Sequence, residues 1–265
     1  MRTIINPEYA RLKPFIDRLA DYDWFLRNGT YMHNGRNKVK LFEIDGIKVT
    51  VKSFEHVTLA NKIIYCTVRK SKAVRAYAYS QRLRRMGIDT PTEIAAVEIR
   101  RGILLQYCYF VYLYTDYRPL KEATERFLES GAERSVLDGT AELIVRLHEN
   151  GVLHNDLHMG NIMYGPDNQG GGCGHPFRII DFNQMSFRDR LSEKQRMDNL
   201  KRLSCNLPAY RYILRRYALL AGWNPDETER RGIEIRRKFE ERHVVRQKIK
   251  APLKKLVRLF KPKKS

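Results

Sequence analysis

The sequence predicts an α+β protein in two parts, a small antiparallel sheet with one helix followed by a larger helical region. Apolar runs with period-two alternation and tight-turn residues occur up to about residue 115, whereas helical spacing of apolar residues begins beyond Pro119. The chain has 265 residues, 43% of them apolar and 30% charged, which suffices for two closely joined lobes with full cores.

Three strands are predicted near the N-terminus, after a lead-in from Pro7 to Trp24 that is either a short amphipathic helix or irregular. The dipeptide Asp45-Gly46 between two alternating runs is typical of a two-residue hairpin turn. A polar turn at residues 33–37 separates this hairpin from an earlier apolar run. The strands are expected at residues 26–31, 39–44 and 47–52.

Side-chain alternation in the third strand places Lys52 on the face that is opposite to the aliphatic residues of that strand. Ile47, Val49 and Val51 share one face of a strand, because successive side chains point to opposite sides. Lys52 therefore faces away from the apolar layer, toward whatever borders the sheet on its other side.

One helix and two further strands complete the first part. Ser71 is a good N-cap for a helix that runs to about Met86, and Gly87 suits the left-handed position after it. The two strands are expected at residues 93–99 and 103–114.

The second part reads as helices interrupted once. Residues 120–130 and 135–150 have helical spacing, residues 151–185 form a compact hairpin-like segment, and helix resumes beyond it. We therefore expect an N-terminal lobe over residues 1–115, a helical lobe over residues 116–250 and a basic tail over residues 251–265.

Charge and cysteine content indicate the kind of partner and the cellular compartment of the protein. Fifty Lys and Arg against thirty Asp and Glu give a net charge of +20, which favours polyanions such as nucleic acid, nucleotides, phosphorylated glycolipid or an anionic bilayer. The four cysteines are scattered, without the spacing of zinc sites or disulfide frameworks, so a reducing cytoplasmic setting is expected. The most apolar run, residues 107–114, is far shorter than the ~20 residues of a spanning helix, and the first 25 residues lack a signal-peptide core.

The segment from Gly151 to Tyr164 carries the most chemistry. It contains Asp156 two positions after His154, and Asn161 five positions after Asp156, while Asp181 follows an apolar run downstream. Phosphoryl transfer to a hydroxyl needs one carboxylate to orient and deprotonate the acceptor, and a second carboxylate with an amide oxygen to hold magnesium on nucleotide phosphates. These residue types, with Lys52 upstream to neutralise phosphate charge, occur in the chain order that this chemistry requires.

The pattern resembles the protein-kinase-like superfamily and, within it, the bacterial lipopolysaccharide kinases that phosphorylate inner-core sugars, the Kdo and heptose kinases. The resemblance rests on the catalytic-loop segment, with His158 where protein kinases usually have Lys, and on Asp181-Phe182. It also rests on residues 34–37, 51–54, 71–75 and 87–91, and it covers roughly residues 28–205.

This resemblance implies a two-lobed kinase-like fold, with ATP and Mg²⁺ as cofactors and a lipid-linked core sugar as the acceptor. Carried over by motif, Lys52 contacts the α and β phosphates, and Asp156 is the catalytic base. Asn161 and Asp181 bind magnesium, and His158 is either a support of the loop or a contact of the γ-phosphate. The nucleotide-binding residues implied are Gly35, Arg36, Asn37, Lys52, Leu113 and Thr115, the first three covering the phosphates and the last two bordering the adenine.

Several positions depart from the protein-kinase pattern. The helix position that carries the Glu partner of the lysine is Ala78, so either Glu98 or Glu55 replaces it or the nucleotide alone holds Lys52. Asn183 stands where protein kinases have Gly, which reduces backbone freedom there. Helix-like sequence resumes by about residue 191, which leaves little room for a peptide-binding segment and disfavours a protein substrate.

Other interpretations of single residues stay open at this point. His154 is expected to brace the loop by hydrogen bonding, since a metal pair with His158 would need a helix rather than this glycine-flanked segment. Cys173 and His175 are expected in a flexible hairpin tip. Asp198 either accepts backbone N–H bonds from the catalytic loop or lies on a solvated helix face.

Two rival functions also remain: a kinase for a soluble small molecule such as an aminoglycoside-like sugar or choline, and a non-catalytic basic scaffold or nucleic-acid-binding protein. The complete Lys52, Asp156, Asn161 and Asp181 set tells against the second rival, and nothing in the tail reads bases.

The C-terminal thirty residues are strongly basic, with 13 Lys and Arg against 2 Glu, a net charge of +11. Apolar residues from Ile249 to Phe260 recur at helical spacing. Such a helix either lies on an anionic bilayer, which would make the protein peripheral on the inner face of the cytoplasmic membrane, or packs on the large lobe.

Overall fold

The computed structural model describes residues 1–54, 70–131, 133–166 and 175–259. An antiparallel sheet of six strands forms one side of the molecule, and helices with small strand pairs form the other. The predicted α+β class is thereby confirmed. The chain passes between the two sides at residues 114–117, which belong to no strand or helix.

The helices, numbered along the chain, are α1 (Lys13–Arg18), α2 (Tyr22–Arg27), α3 (Lys72–Arg85), α4 (Leu120–Ser130), α5 (Arg134–Glu149), α6 (Glu193–Leu200), α7 (Leu207–Leu220) and α8 (Pro225–Leu259). Short 3₁₀ segments lie at Pro7–Leu12, Met159–Asn161 and Phe182–Gln184.

The strands are β1 (Arg2–Ile5), β2 (Thr30–Asn34), β3 (Lys38–Ile44), β4 (Ile47–Phe54), β5 (Glu93–Arg101), β6 (Leu104–Leu113), β7 (Arg118–Pro119), β8 (Val152–His154), β9 (Ile162–Tyr164), β10 (Phe177–Ile179) and β11 (Met185–Phe187). The large sheet has the order β1-β5-β6-β4-β3-β2, and β10-β9-β7 and β11-β8 form two small sheets.

The predicted hairpin is present as β3 and β4. Ile44 pairs with Ile47, which leaves Asp45 and Gly46 as the turn. Both turn residues have positive φ, 50° and 74°, as a tight hairpin turn requires when its twist matches that of the strands. The helix α3 is also as predicted, because the Ser71 side chain accepts a hydrogen bond from the Val74 backbone N–H.

The N-terminal region differs from the sequence prediction in two ways. The lead-in is helical, but α2 extends to Arg27, so the strand expected at residues 26–31 begins only at Thr30. Buried Lys40 explains part of this, since its ammonium donates 2.9 Å hydrogen bonds to the carbonyls of Phe25 and Leu26 at the end of α2. Strand β1 was not predicted, because four residues are too few to show a period.

The large sheet separates two apolar clusters. One face, including Val49, Val51 and Tyr109, packs against α1, α2 and the preceding 3₁₀ segment. The other face, including Phe54 and Phe110, joins the main core with α3 and the helical part. The alternation along β4 therefore places Lys52 on the side of the second cluster, as the sequence predicts.

The helical part is built on α5, whose apolar face is buried against α7, and α7 packs in turn on α8. Helix α8 continues without interruption past residue 250, the expected start of the tail, to Leu259. Within the described ranges, no helix is long and apolar enough to span a bilayer.

Candidate active site

Lys52 and Asp181 meet across the cleft between the sheet and the helical part. The register of β4 pairs Lys52 with Val39 on one side and Phe110 on the other, which fixes its position near the middle of the sheet. Its Nζ lies 2.8 Å from Oδ2 of Asp181, and both side chains are largely buried. Two residues that lie 129 positions apart in the sequence thus form one ion pair.

Asp181 is held in an uncommon backbone conformation. Its φ of 53° lies in the left-handed region, which non-glycine residues seldom adopt and which is concentrated at functional sites. Asn183 donates a 2.6 Å hydrogen bond from Nδ2 to Oδ1 of Asp181. Burial alone would raise the pKa of Asp181, but the charge and hydrogen bond of Lys52 and the bond from Asn183 outweigh it, so the pKa is lowered. The carboxylate is therefore ionised at neutral pH.

His154 braces the catalytic-loop segment from within, as predicted. It is fully buried; its Nδ1 accepts a 3.2 Å hydrogen bond from the Asp156 N–H, and its Nε2 lies 3.1 Å from the Ile180 carbonyl. This pattern requires a neutral ring with the proton on Nε2. Burial lowers the pKa of His154, which keeps the ring neutral. One side chain therefore ties Asp156 to the strand end that precedes Asp181.

Asn161 makes a second tie between the same two segments. Its Nδ2 donates a 2.9 Å hydrogen bond to the Asp156 carbonyl, and its own carbonyl accepts one of 3.0 Å from the Ile180 N–H. Since the amide nitrogen is used by Asp156, the oxygen of the same carboxamide is the atom suited to a cation. Asn161 is buried at 5% exposure, which keeps it in place.

A buried polar network behind the loop was not predicted from the sequence. Nδ2 of Asn199, on α6, donates a 2.8 Å hydrogen bond to the His154 carbonyl, and its Oδ1 lies 3.1 Å from Nε2 of His148 on α5. The His148 ring is 2.8 Å from the Tyr217 hydroxyl on α7. A histidine on the apolar face of the predicted α5 was the one available signal, because a buried ring needs partners.

Asp198 does not support the loop. It is about half exposed and pairs with Lys201 on the next turn, so the solvated-face interpretation is the correct one. The supporting residue is its neighbour Asn199, which is buried on the opposite side of the same helix. An amide suits this position because it can donate a hydrogen bond to the His154 carbonyl and accept one from the His148 ring nitrogen.

A cleft of about 530 Å³ opens beside the ion pair. Six of the sequence-predicted site residues line it: Arg36, Asn37, Lys52, His158, Asn161 and Asp181. Its apolar wall includes Phe110 and Tyr112, which stack with ring centroids 5.0 Å apart, and Phe182 packs edge-on against Phe110. The two aromatic residues of β6 were missed, although their alternation with Val111 and Leu113 was visible.

Four predicted residues lie outside this lining. Leu113 packs on the opposite face of the sheet, and the Thr115 hydroxyl accepts a 3.1 Å hydrogen bond from Arg178. Gly35 is in the exposed turn beside His33, whose Nε2 would lie 2.5 Å from a Cβ at this position. Asp156 is half-buried next to the cleft and connected to it through Asn161.

Of the two expected substitutes for a helix Glu, Glu98 has a different partner from Lys52. Glu98 is paired with Arg100 at 2.9 Å, and Glu55 lies outside the described residues. Helix α3 has no acidic residue, and its Ala76 lines the cleft opposite Lys52. Asp181 is therefore the partner of Lys52 in this structure.

The donor set fits magnesium bound with nucleotide phosphates. Carboxylate and amide oxygens are hard donors, and Mg²⁺ commonly takes one or two protein ligands with phosphates and waters. In the part of the chain that the structure describes, no group of three or more His, Cys, Asp or Glu forms a metal cluster. His158 accepts a hydrogen bond from the Gly160 N–H, and His175 bonds the Gly165 carbonyl, so both have local partners. Cys173 lies outside the described residues.

Comparison with known proteins places this site in a family. A family model described as the lipopolysaccharide kinase (Kdo/WaaP) family matches residues 52–230. A comparison with curated proteins finds no match. A solved structure described as WaaP in complex with acyl carrier protein is similar in fold, with a TM-score of 0.61 and 17% identity over 91% of this chain and 98% of that chain. Because the family model covers more than half of the sequence, this chain belongs to the lipopolysaccharide kinase (Kdo/WaaP) family and is a kinase.

Proposed function

We propose that the protein transfers the γ-phosphoryl group of ATP, in a Mg²⁺-dependent reaction, to a hydroxyl of the lipopolysaccharide inner core, on Kdo or heptose. The observation that supports this most is the convergence of Lys52, Asn161 and Asp181 in one cleft, with Asp156 tied to Asn161. These are the groups that phosphoryl transfer to an alcohol requires.

In this proposal the nucleotide lies along the sheet side of the cleft. Its base lies near the aromatic wall at Tyr112, beside the backbone of Leu113 and Thr115, where the chain leaves the sheet. The phosphates lie under the turn that contains Gly35, Arg36 and Asn37, within reach of Lys52. An ammonium held by strand register acts as a fixed positive charge for the phosphates.

Asn161 and Asp181 would hold the magnesium ion, which neutralises phosphate charge when bound. Asp181 is suited to this role because its pKa is low, so the carboxylate is available at neutral pH. Asn183 and Lys52 fix the orientation of that carboxylate by their hydrogen bonds.

Asp156 would accept the proton of the attacking sugar hydroxyl. The loop that carries it is rigid on both sides, since His154 binds its N–H and Asn161 binds its carbonyl. Such positioning lowers the entropic cost of aligning the acceptor with the phosphorus atom. His158, whose Nδ1 is used by Gly160, would either keep the loop closed or contact the γ-phosphate through Nε2.

The division of labour proposed here follows the chain. Residues 1–115 bind the nucleotide, residues 116–250 carry the loop and the acceptor side, and residues 251–265 attach the protein to the anionic inner surface of the cytoplasmic membrane. Val244 and Val245, which precede this basic segment on α8, are exposed. Polybasic segments near anionic lipid gain about 1 kcal/mol per Lys or Arg.

Two measurements test these proposals. Purified protein with ATP and Mg²⁺ should add one phosphate to core oligosaccharide, detected by mass spectrometry, and cells without the gene should lack that phosphate on lipopolysaccharide. Phosphorylation of choline or an aminoglycoside instead, with the oligosaccharide unmodified, would contradict the lipopolysaccharide acceptor.

For the membrane, vesicles of anionic lipid should sediment the wild type better than the variant Lys254→Glu/Lys255→Glu. The double variant Arg27→Glu/Arg101→Glu changes the net charge equally at exposed positions of the small lobe, and should still bind. Equal loss in both variants would show a general charge effect.

A further inference from the structure

A second, strongly polar cleft of about 510 Å³ lies beside the first. The two clefts share the phosphate-turn residues Arg36 and Asn37, and also Asp181 and Asn183. Phe54 borders both, with Lys52 at 5.5 Å and Lys72 at 5.6 Å from its ring centroid. The second cleft thus begins where the phosphate-binding end of the first cleft stops.

Among the described residues, the cations of this cleft outnumber its carboxylates. Arg36, Lys72 and Arg75 line it, whereas Asp181 is the one acidic residue in the described part of its lining and is paired with Lys52. Among the described residues, no carboxylate forms an ion pair with Arg36 or Lys72. Burial lowers the pKa of Lys72, and the neighbouring charges of Arg36 and Arg75 lower it further, against smaller opposite effects of Cys108 and Asp181. The charge of Lys72 is thus partly desolvated beside other cations, a cost that a bound anion would reduce.

The opposite wall supplies neutral hydrogen-bonding groups beside the proposed base. Asn155, adjacent to Asp156, donates a 2.8 Å hydrogen bond from Nδ2 to the Ser186 hydroxyl, and Gln184 lies near them in the lining. Cations on α3 therefore face amide and hydroxyl groups on the catalytic-loop side. A ligand with a charged group and sugar hydroxyls matches these two walls.

We propose that this second cleft binds an anionic group, a phosphate or a carboxylate, of the acceptor saccharide, with Lys72 as its main contact. The inference rests on the proposed function, since it assigns the acceptor side of the same site. In the proposed function the nucleotide phosphates lie in the first cleft, near Lys52 and the magnesium ion that Asn161 and Asp181 would hold, with the turn residues Arg36 and Asn37 above them. An anion on α3 would hold the acceptor next to Asp156.

The test compares Lys72→Gln with Arg85→Gln, which removes an exposed charge from the same helix outside the cleft. With core oligosaccharide as acceptor, Lys72→Gln should raise its KM about ten- to hundredfold, the effect of losing one hydrogen bond between charged groups. The KM for ATP should stay within about twofold. Lys72→Arg should keep most of the affinity, and Arg85→Gln should match the wild type. Equal effects of Lys72→Gln and Arg85→Gln, or a rise confined to the KM for ATP, would overturn the proposal.

Chemical treatment of the oligosaccharide identifies the anion. If enzymatic dephosphorylation removes the difference between wild type and Lys72→Gln, the ligand group is a phosphate; if carboxyl amidation removes it, the group is a carboxylate. A difference that survives both treatments together overturns the anion proposal.

Direct binding separates this inference from the proposed function. Calorimetry with inorganic phosphate and with acetate, in the presence of a non-hydrolysable ATP analogue, should show weaker binding of one of them to Lys72→Gln than to Arg85→Gln. This binding measurement does not require catalytic turnover. If the protein does not phosphorylate the oligosaccharide but this binding difference is present, the proposed acceptor is refuted and the proposed anion site is retained. Equal binding of both anions by the two variants would refute the anion site itself.

Discussion

The two walls of the active-site cleft are positioned by different means. Lys52 on the sheet wall is placed by strand register and by the alternation of side chains along β4. The loop wall, with Asp156 and Asn161, is placed by single hydrogen bonds of three side chains, His154 and Asn161 within the segment and Asn199 on α6. The first wall depends on a repeating pattern, and the second depends on individual buried polar groups.

This difference predicts how each wall responds to substitution. A single side-chain change where the sheet borders the cleft leaves the many backbone bonds of its register in place, so only a group that contacts the substrate should matter there. The loop wall has few bonds, so residues far from the substrate should also affect it, through the position of the loop.

The largest effect is expected for Asp156→Ala on the loop wall. Loss of a catalytic base reduces turnover by roughly 10²- to 10⁴-fold. Binding of MgATP should persist, because the nucleotide contacts of Lys52, Asn161 and Asp181 remain. Steady-state kinetics and calorimetry measure the two quantities separately.

Asp181→Ala is the control for that separation, since it should also abolish magnesium-dependent nucleotide binding. Normal turnover and normal MgATP affinity in both variants would refute the two assignments.

On the sheet wall, Lys52→Met should reduce kcat by about 10²- to 10³-fold, as expected when one preorganised charge on the transition state is removed. Lys48→Met is the matched control, because Lys48 is exposed, lies on the same strand and carries the same charge. It should leave kcat within about twofold. Equal activity of the two variants would mean that register alone does not place a functional lysine here.

The sequence predicted the sheet wall better than the loop wall for a physical reason. Lys52 could be placed because alternation in residues 47–52 is a local property with a fixed period. Asn199 could not, because its role depends on the docking of α6 against the loop, about 45 positions away in the chain. The sequence pattern of a helix shows which face is buried but not which segment it packs against. For this reason Asp198, and not Asn199, was considered as the support of the loop.

The same reasoning accounts for the misplaced strand and the missed aromatic wall. The end of α2 depends on a hydrogen bond from Lys40, a residue of strand β3, and local helix propensity does not include such a contact. Tyr112 and Phe110 were visible as alternating residues, but the face that borders the cleft is fixed by the packing of β6 against β4.

Asn199→Leu tests the dependence of the loop wall on one distant amide. The substitution leaves the His154 carbonyl and a His148 ring nitrogen without their partner, which should lower the free energy of unfolding by about 1–3 kcal/mol. It should also lower kcat with little change in the KM for ATP. Asp198→Asn, one residue away and half exposed, is the control and should change stability by less than about 0.5 kcal/mol. A stability loss without any change in kcat would limit Asn199 to a structural role.

The smallest effect expected is a pH dependence that arises behind the loop wall. Burial lowers the pKa of His148 from 6.5 to about 4, against a partly compensating bond from Asn199. Between these two values the unfolded chain binds a proton that the folded protein does not, so stability is complete above pH 6.5 and is lost as the pH falls. The loss from this group should be about 1 kcal/mol by pH 5.5.

Urea unfolding at pH 7.5 and at pH 5.5 measures this loss, and His148→Gln should reduce it. Part of the loss should remain, because burial also lowers the pKa of His154. Asp181 does not interfere in this window, since its pKa lies below 3.8 and its contribution is lost only in stronger acid. If wild type and His148→Gln lose equal stability between the two pH values, the ring is protonated in the folded protein. The hydrogen bonds that link α5, α6 and α7 to the loop would then need a different assignment, because a doubly protonated ring has no acceptor for the Tyr217 hydroxyl.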